Sequence, residues 1–158
     1  MKLRDQALDE IEATRKFFDR TTRCLTEADS GFRPSPGTWS VASQVAHAAF
    51  TLDWFREGVF DGRWDMEFDR QIAEASTATS LDAERRKLAD AWRRLRERVE
   101  AATDEELEAP MADNPILGTR PRYHLMSAVT DHTAHHRGSL AVYARLLGRV
   151  PDMPYGDD

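Results

Sequence analysis

From Thr38 to Leu52 the chain carries no Asp, Glu, Lys or Arg, in a protein whose residues are 32% charged. Within and beyond that stretch, Val41, Val45, Ala48, Leu52, Phe55 and Val59 recur at steps of three and four, one stripe of an α-helix. Ser43, His47, Phe50 and Trp54 form a second stripe beside the first. Ser40 is a good N-cap for this helix. A helix with so little charge is buried on more than one side, in a core or at a subunit interface.

The same periodicity runs through the rest of the chain. Leu3, Ala7, Ile11, Thr14, Phe18, Thr21 and Leu25 make a first amphipathic helix, which stops near the Gly/Pro/Ser-rich loop ADSGFRPSPG. A third helix opens at Thr79 or Ser80, with the stripe Leu81, Leu88, Trp92, Leu95, Val99 and Ala102. A fourth begins with Thr119 as cap and Pro121 in its first turn, and ends near Gly148 with Pro151 beyond. Between the second and third helices the pattern is irregular, with a short helix expected around Phe68–Glu74; residues 103–119 read as a loop. Four amphipathic helices without an alternating strand pattern predict an all-α fold, a four-helix bundle with long inter-helix loops. The 158 residues fit one domain, 1–158.

Charge narrows the function classes. The 22 basic and 28 acidic residues give a net charge of −6, which argues against a nucleic-acid or anionic-membrane partner. The basic run from Glu84 to Arg98 is interleaved with acids at helical spacing and reads as a solvated helix face. No apolar run is long enough to span a bilayer. The start MKLRDQALDE has no apolar segment of the secretory type. Cys24 is the one cysteine, which excludes an intrachain disulfide and suits a reducing, cytoplasmic location.

The chemistry concentrates in HTAHHRG, residues 132–138, which holds three of the five histidines. On a helical wheel Leu125, Val129, His132, His136, Leu140, Tyr143 and Leu147 share one face. His132 and His136 therefore point into the bundle, while Ser127, Thr130, Ala134, Arg137, Ala141 and Arg145 lie opposite. The i, i+4 spacing stacks the two rings one turn apart, where both can converge on one metal ion. Hydrogen-bonded core histidines would give the same pattern. His47, on the uncharged helix, is the candidate third ligand, since bundles build metal sites from facing helices. His135 is turned about 100° from His136; it is a candidate acid–base residue, a donor to a ligand, or a flank residue. Asp131 is placed to orient a ligand ring. His124 lies off the stripe and reads as structural or exposed.

Two longer stretches carry a family resemblance. GTWSVASQVAHAAF, residues 37–50, resembles the first histidine motif of the DinB-like (DinB/YfiT) family, and DHTAHHRGSLAVYARLLGRVPDMPYG, residues 131–156, resembles its C-terminal signature. The resemblance implies an up-down-down-up four-helix bundle, often a homodimer. It implies a divalent metal, zinc or nickel, on His47, His132 and His136. Related members include S-transferases and isomerases that use low-molecular-weight thiols. The chain departs from the family at Ser139, often Gln, and at Ser43, often Glu.

Three neutral imidazoles leave a bound ion its full charge and open coordination positions. The expectation is a metal-dependent enzyme of thiol S-transferase or hydrolase type acting on a small-molecule substrate. The alternative is a non-catalytic, stress-related protein that binds a metal and a small ligand. A structural zinc site is disfavoured, because it wants four ligands and Cys24 lies outside the motifs.

Overall fold

A computed structural model describes residues 2–156 of the chain. Four long helices, α1 (Leu3–Thr22), α2 (Val41–Asp61), α4 (Leu81–Glu100) and α6 (Leu125–Leu146), alternate with two short ones, α3 (Phe68–Ser76) and α5 (Asp104–Glu108), placed between α2 and α4 and between α4 and α6. No strand occurs among the described residues; an isolated bridge joins Pro110 to Pro121. No helix among them is long and apolar enough to cross a membrane.

The long helices enclose one core. α2 lies along α4 and α6, and α1 lies along α6 and α4. Phe18 of α1, Val41 and Val45 of α2, Leu95 of α4 and Leu125 and Leu140 of α6 are sealed from solvent within it. The main stripe expected on α2 and the stripe on α4 are buried throughout, and on α1 all but Leu3 are buried. On the second α2 stripe only Ser43 is buried, while His47, Phe50 and Trp54 are half-buried. No residue of α2 before Asp61 is exposed. The core-facing side of α2 is covered by its own chain, and a second side with Ala46, Phe50, Asp53 and Trp54 is half-buried.

Local signals explain the α2 and α4 boundaries. The Ser40 hydroxyl accepts the Ser43 N–H at 3.1 Å and caps α2. α2 stops where Gly62 adopts φ 69°, a left-handed conformation suited to glycine. Ser80, not Thr79, caps α4, accepting the Ala83 N–H at 3.2 Å.

The start of α6 differs from expectation. Thr119 is no cap, and Pro121 does not open the helix. Residues 109–111 and 120–122 instead pair as extended chain, with Met111 N–H donating to Arg120 O at 3.0 Å and Arg122 N–H to Ala109 O at 3.1 Å. A 3₁₀ turn, Arg122–His124, then leads into α6 at Leu125. Within the expected loop, Thr103 accepts the Glu106 N–H at 3.1 Å and nucleates α5. The far face of α6 is in part covered, because α6 meets α1: Thr130 Oγ1 lies 3.1 Å from Thr14 Oγ1, and Thr130, Ala134, Arg137 and Ala141 are half-buried while Ser127 and Arg145 are exposed.

Candidate metal centre

α2 and α6 pack side by side, and their contact brings three histidines together. His47 comes from the second turn of α2; His132 and His136 come from successive turns of α6. His132 Nε2 lies 3.2 Å from His47 Nε2 and 3.2 Å from His136 Nε2. One nitrogen from each ring falls within 4.8 Å of the other two. His136 is buried, and His47 and His132 are half-buried.

Aromatic side chains wall the cluster. The Trp39 ring stacks near His136 at a 6.0 Å centroid distance and tilts against His47 at 4.5 Å. The Phe55 ring meets His132 edge-on at 6.2 Å. These walls remove water, and the rings titrate accordingly. Burial, with a smaller push from His135, lowers His47 to about 4. Burial lowers His132 to about 4, reinforced by His47 and His135. His136 falls to about 2, by burial first and then by His132, His47 and His135. All three rings are therefore neutral near pH 7, the form that binds metal.

The donor set fits a divalent ion. An imidazole nitrogen presents either one proton or one lone pair, so His132 Nε2 can make a proper hydrogen bond to only one of its two neighbours. A second ring nitrogen is left facing it without a shared proton, a costly arrangement in a buried place. An ion between the rings removes that conflict. Tetrahedral ligands at 2.0–2.1 Å from zinc sit about 3.3–3.4 Å apart, close to the observed spacing.

Two polar neighbours hold the rings. His136 Nδ1 lies 2.5 Å from Gln44 Oε1, and Gln44 Nε2 lies 3.3 Å from Tyr143 Oη. Thr51 Oγ1 donates to the His47 carbonyl at 2.8 Å and lies 3.4 Å from His47 Nε2. His47 Nδ1 is buried without a partner. Gln44 and Thr51 escape the sequence reading. The available signal is their spacing: both stand one turn from His47 on the uncharged first part of α2.

The remaining sequence candidates lie outside the cluster. His135 is exposed, with its ring 4.9 Å from that of His136. Asp131 is exposed and bonds to none of the three rings; Gln44 orients His136 instead. His124 stacks on Tyr123 at 4.7 Å in the turn before α6.

A family model for the DinB superfamily matches residues 10–140, a span that includes all three histidines. The chain belongs to the DinB superfamily. Among solved structures, a DinB-like protein from Bacillus subtilis shares 17% identity, with 95% of this chain and 96% of that chain covered at a TM-score of 0.67. A DinB-like protein from Bacillus cereus shares 21%, with 94% and 91% covered at a TM-score of 0.62. At such identities the likeness speaks for the DinB-like fold. No curated protein matches the sequence.

Proposed function

We propose that this DinB-superfamily protein is a metal-dependent enzyme in which His47, His132 and His136 hold one divalent ion, zinc or nickel. The observation that carries this reading is the triangle of neutral, desolvated ring nitrogens with no carboxylate or cysteine among them. Such a ligand set leaves the ion its full charge and an open position. A divalent ion there supplies Lewis acidity, lowering the pKa of a water or thiol and polarising a carbonyl.

The chain's own groups define the rest of the reaction site. Trp39 and Phe55 exclude water from the rings and give an apolar surface for a small-molecule substrate. His135, exposed beside His136, is the proposed acid–base group, able to exchange a proton with solvent. The reaction class is S-transfer from a low-molecular-weight thiol, or hydrolysis. We read the frame as a four-helix bundle in up-down-down-up order, working in the cytoplasm as a homodimer.

The test is metal content, then turnover. Protein purified without a polyhistidine tag is expected to carry about one divalent ion per chain by elemental mass spectrometry. His47→Ala, His132→Ala and His136→Ala should lose it, and His135→Ala should keep it while losing activity. A wild-type chain that takes up neither zinc nor nickel overturns the reading. A loaded protein inert toward thiols with electrophiles, esters and amides would instead be a metal- and ligand-binding protein without turnover.

A further inference from the structure

The hydrogen bonds behind His136 run in one direction. Tyr143 Oη donates to the Trp39 carbonyl at 3.1 Å, and a carbonyl can only accept. With its proton committed, Tyr143 offers a lone pair, which the Gln44 amide N–H takes at 3.3 Å. That fixes the Gln44 amide, turning its oxygen to His136 Nδ1 at 2.5 Å. An amide oxygen has no proton to give, so His136 donates from Nδ1. Its lone pair is then on Nε2, the atom 3.2 Å from His132 Nε2.

Flipping the amide breaks the chain at both ends. The Gln44 oxygen would face a hydroxyl whose proton is already used, and its NH₂ would need the opposite tautomer of His136. His136, Gln44 and Tyr143 are all buried, so water cannot repair such a mismatch. Free imidazole side chains favour the proton on Nε2, and the protein reverses that preference here.

We propose that Gln44 and Tyr143 are positioning residues that lock His136 as the Nδ1–H tautomer, with the Trp39 carbonyl setting the polarity of the relay. The Nε2 lone pair then faces the cluster before any ion arrives. This rests on the reading that the three histidines hold a metal. Its effect is on ligand readiness, so Gln44 governs metal affinity without touching the ion.

The test uses the metal-free full chain labelled with ¹⁵N-histidine. Long-range ¹H–¹⁵N NMR near neutral pH should show His136 with a pyrrole-type Nδ1 and a pyridine-type Nε2. Gln44→Met removes the acceptor; the Nε2–H form should appear, and zinc affinity measured against a chromogenic chelator should fall about 10–100-fold. Gln44→Glu keeps an acceptor and should keep the wild-type tautomer. Tyr143→Phe frees the amide to turn and should give mixed tautomers, and it decides the matter where Gln44→Met does not fold. A wild-type His136 protonated on Nε2 overturns the proposal, as does a folded Gln44→Met chain with unchanged tautomer and zinc affinity. Failure of the wild type to bind zinc, with His136 still Nδ1-protonated, sinks the metal reading and leaves the tautomer lock standing.

Discussion

The Trp64 indole lies directly on the α2 backbone at Gly58. A Cβ added to Gly58 would meet the indole carbons Cδ2 and Cε2 at 2.4 Å. Trp64 also meets Trp54 edge-on at 4.8 Å, and the Trp54 indole N–H donates to the Asp65 carbonyl at 2.7 Å. Gln71 of α3 donates to that same carbonyl at 2.8 Å. The segment after α2 is thus clamped to the helix, and Gly58 makes the seat.

Gly58→Ala sets two effects against each other. Alanine gains about 1 kcal/mol of helix propensity. Overpacking against a held indole costs about 1–3 kcal/mol, and Trp64 is tied through its neighbours. The expected outcome is a net loss of up to about 2 kcal/mol, or a Tm lower by up to roughly 8 °C. Thermal unfolding followed by circular dichroism checks it. A raised Tm would show that propensity wins and that Trp64 moves aside freely.

Arg149 ties the segment after α6 to the loop after α1. Its guanidinium pairs with both carboxylate oxygens of Asp29 and donates to the Cys24 carbonyl at 2.8 Å. Burial pushes the Asp29 carboxyl up, but Arg149 and the backbone and hydroxyl of Thr26 together hold it below the usual carboxylate range. Arg149→Met leaves the buried carboxylate without its cation. The expected cost is about 2–3 kcal/mol by urea denaturation, below the full buried-pair value because Arg149 is partly exposed. Asp29→Asn with Arg149→Met should cost less than the two single changes added together. Strict additivity would show that the pair contributes nothing specific.

How much of this was legible in the sequence follows from how local each signal is. The Ser40 and Ser80 caps act within one turn, and both were readable. The His132–His136 face follows from helical period alone. The role of Gln44 depends on Tyr143, 99 positions away, so no local pattern reports it. Pro121 misled for the same reason. Its local signal is helix entry, but pairing with Pro110 holds it extended and delays α6 to Leu125. The helical wheel places Thr130 on the face opposite the histidines; its contact with Thr14 of α1 half-buries it.

The histidine cluster makes the metal-free chain acid-sensitive. Folded His47 and His132 titrate at about 4 and His136 at about 2, all below the value of 6.5 for a free ring. The unfolded chain therefore binds more protons than the folded one between these limits, and stability rises with pH. With a chelator present, Tm should be level above about pH 7 and fall as pH drops from about 6.5 toward 4. The lowered carboxylates Glu12 and Asp29 act at lower pH, and the raised carboxyl of Asp19 acts in the opposite sense. His136→Gln should flatten the curve between pH 7 and 5. A wild-type Tm unchanged across that interval would mean the rings are not held neutral by burial.

Metal binding should appear as stability. An ion that binds the folded chain alone adds about 2.7 kcal/mol when free metal is 100 times Kd. For a chain of this size that raises Tm by roughly 5–10 °C. Zinc added to the chelator-stripped wild type should give such a rise at pH 7.5 and still at pH 5, and lose it only toward pH 4 and below, where protons reach the His47 and His132 nitrogens. His132→Ala should lose the rise, because His132 Nε2 stands between the other two ring nitrogens. His135→Ala should keep it, since that ring is exposed and outside the cluster. Differential scanning fluorimetry on the wild type and the two variants separates the cases. An equal rise in the wild type and His132→Ala would place the zinc elsewhere on the protein.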